Sequence, residues 1–151
     1  MDMRIIFVLA AAAVGGILAV TTAFGGDDNV PPISDAVVQE ECSACHFAFQ
    51  PAFLPAESWS KMMGGLEDHF GEDASLSETV RDNIEAYLVA NAGRGNVDPQ
   101  NPPLRITELR WFKSEHSERE AQRMMERLDV KSLLSCGACH QGAERGIYDD
   151  D

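Results

Sequence analysis

Hydrophobic residues recur at three- and four-residue steps along most of the chain, which is the spacing that places them on one face of an α-helix. No long run alternates hydrophobic and polar residues in the way of a half-buried β-strand. The sequence therefore predicts an all-α fold. The predicted helices cover approximately residues 35–42, 58–70, 78–91, 106–116, 118–128 and 132–136.

Residue types that favour helix ends support these boundaries. Ser34 is a candidate N-cap for the first helix, and Gly71 is a candidate stop for the second. Segments 75–78 and 117–120 each resemble a capping box, in which Ser is followed three residues later by Glu. Thr107 is a candidate cap for the fourth helix.

Proline and glycine divide the chain into parts. Pro51 and Pro55 predict an irregular loop after the first helix, and the segment GRGNVDPQNPPL is the clearest internal linker. We therefore expect three regions: a signal peptide or membrane anchor over 1–25, an N-terminal lobe over 26–93, and a linker with a C-terminal lobe over 94–151.

The N-terminal segment resembles an export signal. Arg4 precedes an apolar run from Ile5 to about Val20, and Thr21 and Ala23 fit the small-x-small pattern of a signal-peptidase site. We expect cleavage after Ala23 or Gly25. The alternative is a retained membrane anchor, because the run approaches the roughly 20 residues that span a bilayer. Both interpretations place the rest of the chain outside the cytoplasm, in the periplasm.

The chain is strongly acidic, with a formal net charge of −13. Such a charge repels nucleic acids and anionic lipid headgroups, so neither is an expected partner, and contact with a membrane is expected only if the N-terminal segment is retained. It favours a protein partner with a basic patch. The alternative is that the charge serves only to keep the protein soluble.

The candidate chemistry lies in two Cys-x-x-Cys-His motifs, at 42–46 and at 136–140. This motif attaches c-type haem: the two thiols add to the haem vinyl groups, and the adjacent histidine coordinates the iron as the proximal ligand. Two copies behind an export signal predict two covalently bound haems c. The predicted attachment residues are Cys42, Cys45, Cys136 and Cys139, and the predicted proximal ligands are His46 and His140.

Other uses of four cysteines fit less well. Two disulfides would suit an oxidising compartment, but they do not explain the histidine that follows each pair. A zinc ribbon also uses two Cys-x-x-Cys pairs, but here the pairs lie far apart in the sequence. A thioredoxin-like motif requires a βαβ setting, which the predicted helices do not provide.

The histidine count predicts the remaining iron ligands. The chain has four histidines, and the two outside the motifs, His69 and His116, equal the number of distal ligands that two six-coordinate haems need. Methionine is the usual rival ligand, and four methionines lie in predicted helices: Met62, Met63, Met124 and Met125. An open iron that binds a small ligand would require one of the two histidines to be idle.

The spacing of the histidines favours local pairing. His46 and His69 are 23 residues apart, and His116 and His140 are 24 residues apart, so each pair can be joined across a haem by one loop and one helix. A crossed arrangement remains the alternative. Trp59 and Trp111 lie near the distal candidates and are expected to pack on haem, while Arg145 could pair with a propionate or remain solvated.

Three segments resemble the bacterial dihaem cytochrome c family: LPAESWSKMMGGLEDHFGEDASL, PLRITELRWFKSEH and SCGACHQGAERG. The resemblance covers most of the chain beyond the signal segment and includes the HFG and RIT segments as well as the haem motifs. It implies a small all-α dihaem c-type cytochrome with an N-terminal class-I-like haem lobe plus a C-terminal haem lobe. It also implies bis-His ligation of both haems, by the four histidines, and a small oxygen-binding monohaem cytochrome, the sphaeroides haem protein type, as redox partner.

These observations favour a periplasmic electron carrier over two other classes of protein. An enzyme, such as a dihaem peroxidase or a small-ligand reductase, needs an open or labile axial site. A haem-based sensor would be expected to carry a signalling domain, and the sequence predicts none. No catalytic residue is therefore predicted.

Overall fold

The computed structural model describes residues 29–95 and 97–149, so the predicted export signal lies outside the described residues. The described chain is helical and contains no strand, which confirms the predicted all-α fold. None of its helices has the length and apolar character needed to cross a membrane. The helices are α1 (Ala36–Ser43), α2 (Ala56–Met63), α3 (Glu78–Ala90), α4 (Arg110–Glu115), α5 (Glu118–Leu128) and α6 (Cys136–Cys139).

Helix α1 is capped one residue later than predicted. The Asp35 carboxylate accepts hydrogen bonds from the backbone N–H groups of Val37 (2.9 Å) and Val38 (3.0 Å), so Asp35 is the N-cap. Ser34 instead donates its backbone N–H to the Tyr87 hydroxyl at 2.8 Å, which fastens the start of α1 to α3. Both residue types are good caps, and the tertiary contact with Tyr87 decides between them.

Helix α2 is shorter than the predicted helix over 58–70. It ends at Gly64 and Gly65, because consecutive glycines lose too much conformational freedom to continue a helix. A 3-10 turn over Leu66–Asp68 follows, and His69 lies on irregular backbone beyond it. The early end of α2 thus places His69 in a loop.

Two other predictions needed similar correction. The segment 106–116 forms a 3-10 turn at Ile106–Glu108 and then α4, with Leu109 in extended conformation between them. The short helix predicted over 132–136 is absent, and helix α6 begins at Cys136 instead. The turn at Ile106–Glu108 precedes the helix that leads to His116, and a turn over 133–134 leads into the second haem motif.

The hydrophobic core lies mainly in the first half of the chain, where α2 and α3 pack against each other. In contrast, the hydrophobic residues that are fully buried in the segment 117–149 are two alanines, Ala121 and Ala143. Two methyl groups cannot form the core of a lobe of this size. The core residues are Val38, Leu54, Trp59, Met63, Leu66, Ile84, Leu88, Ile106 and Phe112.

Two glycines allow close backbone contacts. A Cβ atom on Gly93 would lie 2.0 Å from the carbonyl oxygen of Ala52, so only glycine fits where the end of α3 meets the proline loop. Gly146 has a φ of +76°, and a Cβ there would lie 2.0 Å from the carbonyl oxygen of Val30. The Gly146 carbonyl accepts a 2.8 Å hydrogen bond from the Val30 N–H, which joins the two ends of the described chain.

Candidate haem sites

Each Cys-x-x-Cys-His motif lies on or beside a helical turn. The first begins on the last turn of α1, where Cys42 is half-buried and Cys45 is exposed. The second motif forms α6 itself, and His140 is the residue that ends this helix. A helical turn brings the two cysteines of each motif to neighbouring positions, three residues apart.

The first cysteine of each motif lies in an environment that raises the pKa of its thiol. Burial raises the pKa of the Cys42 thiol above its ordinary value, and the nearby Glu41 carboxylate raises it further. Burial also raises the pKa of the Cys136 thiol to about 11. These values describe the chain before haem attachment, since a thioether sulfur does not titrate.

The structure brings the four histidines together in two pairs. The ring centroids of His46 and His69 are 6.0 Å apart, with 21° between the ring planes. The centroids of His116 and His140 are also 6.0 Å apart, with 81° between the planes. Each pair joins a motif histidine to the histidine 23 or 24 residues away in sequence, which is the local arrangement.

The spacing of each pair fits a metal held between two imidazoles. Bonds from a metal to an imidazole nitrogen are about 2 Å long, so two imidazoles on opposite sides of one ion have centroids roughly 6 Å apart. Rings in direct van der Waals contact would lie closer together. The donor sets therefore suit two irons that each have a histidine on both faces.

Backbone carbonyls orient two of these rings. The Nδ1 atom of His46 lies 2.7 Å from the carbonyl oxygen of Phe47, and the Nδ1 atom of His116 lies 3.1 Å from that of Phe112. A carbonyl oxygen can only accept, so each Nδ1 carries the proton and donates it. In the neutral ring, Nε2 is then the nitrogen that is available to bind iron.

Comparisons with known proteins identify the family. Residues 38–148 match the family described as dihaem cytochrome c. This chain belongs to the dihaem cytochrome c family. The cytochrome therefore carries two covalently bound c-type haems and has a role in electron transfer, and the resemblance noted in the sequence is confirmed.

Solved structures agree with this assignment. The crystal structure of DHC purified from Rhodobacter sphaeroides is 50% identical, covers 77% of this chain and 98% of its own, and superposes with a TM-score of 0.65. A second structure, a diheme cytochrome c from the same organism, is 47% identical over 78% and 99% of the two chains, with a TM-score of 0.69. A diheme cytochrome type c from Shewanella baltica OS155 is 37% identical over 76% and 86%, with a TM-score of 0.65. Curated proteins give no match.

The apolar surface in the C-terminal half of the cytochrome is suited to packing against haem. Helix α5 carries Ala121, Met124, Met125 and Leu128 on one face, yet the two methionines are only half-buried and Leu128 is 41% exposed. A porphyrin that covered such a face would supply the apolar contacts that this half of the chain lacks.

Desolvation favours the ligating form of His69. Burial lowers the pKa of His69, and the neighbouring His46 lowers it further, because two nearby imidazolium charges would repel. The neutral imidazole is the form that binds a metal, so the site before haem attachment already favours the state that coordination requires.

The HFG and RIT segments meet beside the first pair of histidines. The Arg105 guanidinium lies 4.2 Å from the centre of the Phe70 ring, and that ring contacts His69 edge-on at 4.9 Å. Phe70 has a φ of +58°, an uncommon conformation for a bulky residue, and the contact with Arg105 helps to hold it. This contact thus joins the HFG segment to the RIT segment.

Three site residues could not be assigned a role from the sequence. Phe112 stacks face-to-face on His116, with centroids 4.1 Å apart and 10° between the planes. Tyr148 contacts the His140 ring at 5.4 Å, and its hydroxyl is hydrogen-bonded to Gln50, which is 1% exposed. A glutamine within the apolar segment FAFQPAF was the available signal, because a buried amide needs partners.

The other residues that the sequence suggested as neighbours or ligands of the haems make different contacts in the structure. Trp59 is buried in the core and donates its indole N–H to the Pro51 carbonyl at 2.8 Å. Trp111 is 41% exposed and contacts Phe53, with ring centroids 5.5 Å apart. Met63 is buried in the core. The haem-packing role remains a prediction for both tryptophans, as does a propionate contact for the exposed Arg145.

Proposed function

We propose that this cytochrome is a periplasmic electron carrier in which both haem irons are closed by two histidines. In the first site, Cys42 and Cys45 attach the haem, and His46 and His69 bind its iron. In the second site, the corresponding residues are Cys136, Cys139, His140 and His116.

The pairing of the four histidines is the observation that supports this proposal. Both pairs have the 6.0 Å separation expected of imidazoles that share one metal, and together they include all four histidines of the chain. An iron with two protein ligands has no free position for a substrate. The arrangement therefore suits a centre that exchanges electrons and does not bind a reactant.

The side chains orient and stabilise the ligands. Each haem, when bound, supplies an iron that cycles between the ferric and ferrous states. The carbonyls of Phe47 and Phe112 accept hydrogen bonds from the Nδ1 atoms of His46 and His116, which orients both rings. The aromatic contacts of Phe112 with His116 and of Tyr148 with His140 restrict ring motion at the second site. Fixed ligands lower the reorganisation that accompanies each electron transfer.

Carbon monoxide binding to the reduced protein distinguishes an electron carrier from an enzyme with an open iron. We expect almost no change in the absorption spectrum of the wild type, because both axial positions are filled. The His69→Ala variant is the positive control, and it should bind carbon monoxide at one haem out of two. Rapid, stoichiometric binding by the wild type would contradict the carrier function and favour an enzyme with a labile axial site.

The distribution of charge supports a basic protein as partner. Residues 29–95 carry eleven carboxylates and three Lys or Arg side chains, a net charge of −8, whereas residues 97–149 carry nine and eight, a net charge of −1. Four exposed carboxylates flank His69 in sequence: Glu67, Asp68, Glu72 and Asp73. We propose that a small cytochrome with a basic patch docks beside the first haem, guided by this field.

The proposed periplasmic location depends on export of the chain across the inner membrane. Cytochromes of this class are typically exported, because haem is attached outside the cytoplasm. N-terminal sequencing of the protein from a periplasmic extract tests the prediction, and we expect the chain to begin after Ala23 or Gly25. Recovery of a chain that starts at Met1 from the membrane fraction would instead show a retained anchor.

A further inference from the structure

The two pairs of histidines differ in orientation although they have the same separation. The planes of His46 and His69 are 21° apart, which is near parallel, whereas those of His116 and His140 are 81° apart, which is near perpendicular. We infer that the two haem irons have different ligand geometries, and that Phe112 is the positioning residue that sets the perpendicular one. This inference rests on the proposed bis-His ligation.

Phe112 holds the His116 ring by two contacts. Its backbone carbonyl accepts the Nδ1 proton at 3.1 Å, which limits rotation about the bond to the ring. Its side chain lies against the face of the imidazole, with centroids 4.1 Å apart and 10° between the planes. A ring fixed at one edge and on one face cannot turn without losing both contacts.

Phe112 is itself firmly placed. It is 7% exposed and belongs to the hydrophobic core, and it lies one helical turn before His116, which ends α4. Its carbonyl also accepts the backbone N–H of His116 at 2.9 Å. The plane of His116 is therefore set by the hydrophobic core through Phe112 and the last turn of α4.

The other three histidines have looser aromatic neighbours. Phe70 meets the His69 ring at 63° and Phe49 meets the His46 ring at 32°, with centroids 4.9 Å and 5.4 Å away. Tyr148 meets the His140 ring at 60°. None of these contacts is a face-to-face stack, so Phe112 is unlike the aromatic residues beside the other ligands.

Ligand orientation has a direct effect on the electrons of ferric iron. Each imidazole interacts with the iron orbital whose lobes lie perpendicular to the ring plane. Parallel rings act on one of two equivalent orbitals and separate their energies, which gives a rhombic electron paramagnetic resonance spectrum. Perpendicular rings act on both orbitals equally and leave them nearly degenerate, which gives a highly anisotropic spectrum with one large g value at low field. In this inference, the relative orientation of the two axial imidazoles is the property that makes the two haems of this chain different.

Electron paramagnetic resonance of the frozen ferric protein tests the inference. We expect two low-spin signals of equal intensity, one rhombic and one with a large g value. In His116→Ala, the rhombic signal should be the low-spin signal that remains. In His69→Ala, the large-g signal should be the one that remains. Two rhombic signals in the wild type, or the opposite assignment in these variants, would overturn the inference. A high-spin iron in the wild type would instead show that the proposed bis-His ligation has failed.

Variants of Phe112 test its positioning role. In Phe112→Leu and Phe112→Met, loss of the stack should convert the large-g signal to a rhombic one, while the first signal remains unchanged. Phe112→Tyr keeps the ring and should retain both signals. Phe53→Leu is the matched control, because Phe53 belongs to the same aromatic cluster and contacts Trp111 and Tyr148 but no histidine. A large-g signal that persists in either Phe112→Leu or Phe112→Met, with both haems attached, would overturn the role.

Discussion

The Tyr148 hydroxyl donates a 2.5 Å hydrogen bond to the side-chain oxygen of Gln50, a residue 98 positions earlier in the sequence. Gln50 in turn donates its Nε2–H to the Ala143 carbonyl at 2.7 Å. Burial raises the pKa of Tyr148, so the phenol remains protonated and able to donate. One buried amide thus connects the proline loop that follows α1 to the turn that follows the second haem motif.

The Gln50→Ala variant should therefore be markedly destabilised. It leaves the Tyr148 hydroxyl without its partner and the Ala143 carbonyl with a single donor, the Gly146 N–H. An unsatisfied buried group costs about 1–3 kcal/mol. We expect urea denaturation, followed by circular dichroism, to show a loss of about 2 kcal/mol with both haems attached. The exposed Gln39→Ala on α1 is the control and should change the stability by less than about 0.5 kcal/mol. Equal stability of the two variants would show that the amide does not connect the lobes.

Gly93→Ala should also destabilise the cytochrome. The added Cβ would lie 2.0 Å from the Ala52 carbonyl, so the end of α3 would have to move away from the proline loop. We expect a cost of about 1–3 kcal/mol, seen as a lower thermal midpoint. Gly65→Ala is the matched control, because its Cβ would have its nearest contact at 3.7 Å. A midpoint unchanged in Gly93→Ala would contradict the close approach.

Loss of the second haem should unfold the C-terminal half selectively. The double variant Cys136→Ser/Cys139→Ser cannot attach this haem, and Ala121 and Ala143 are the fully buried hydrophobic residues that remain after residue 117. Hydrogen exchange should be fast over 117–149 and remain slow in α2 and α3, which pack against each other. Slow exchange throughout the variant would show that the chain forms this lobe without its cofactor.

Charge reversal should slow electron transfer more in the first half of the chain than in the second. Because the net charge lies mainly in residues 29–95, Glu72→Lys/Asp73→Lys should slow electron transfer to a small basic cytochrome severalfold at low ionic strength. Glu118→Lys/Glu120→Lys changes the charge by the same amount on α5 and should have little effect. Both differences should disappear at high salt, where exposed charges are screened. Equal slowing by the two variants would place the docking surface elsewhere or remove its electrostatic origin.

Much of this molecule was predictable from its sequence because the information is local. The all-α class followed from hydrophobic spacing, and the haem motifs carry their chemistry within five residues. The histidine count also predicted closed iron sites, and this remains a proposal supported by the pairing of His46 with His69 and of His116 with His140.

The features that were missed depend on tertiary contacts. Asp35 caps α1 because Tyr87 engages Ser34, and a sequence does not show that contact. The stack of Phe112 on His116 depends on where α4 begins, and the extended residue Leu109 was not foreseen. The early end of α2 had a visible signal in Gly64 and Gly65, but the hydrophobic periodicity that continues past them obscured it.

Near-infrared magnetic circular dichroism of the ferric protein tests the central claim most directly. The energy of the charge-transfer band of low-spin ferric haem identifies the pair of axial ligands, and its intensity counts the haems. We expect a single bis-His band with an intensity that accounts for both haems. A His/Met band, or a high-spin signature from either haem, would contradict the account, because it would leave one of the four histidines without its iron.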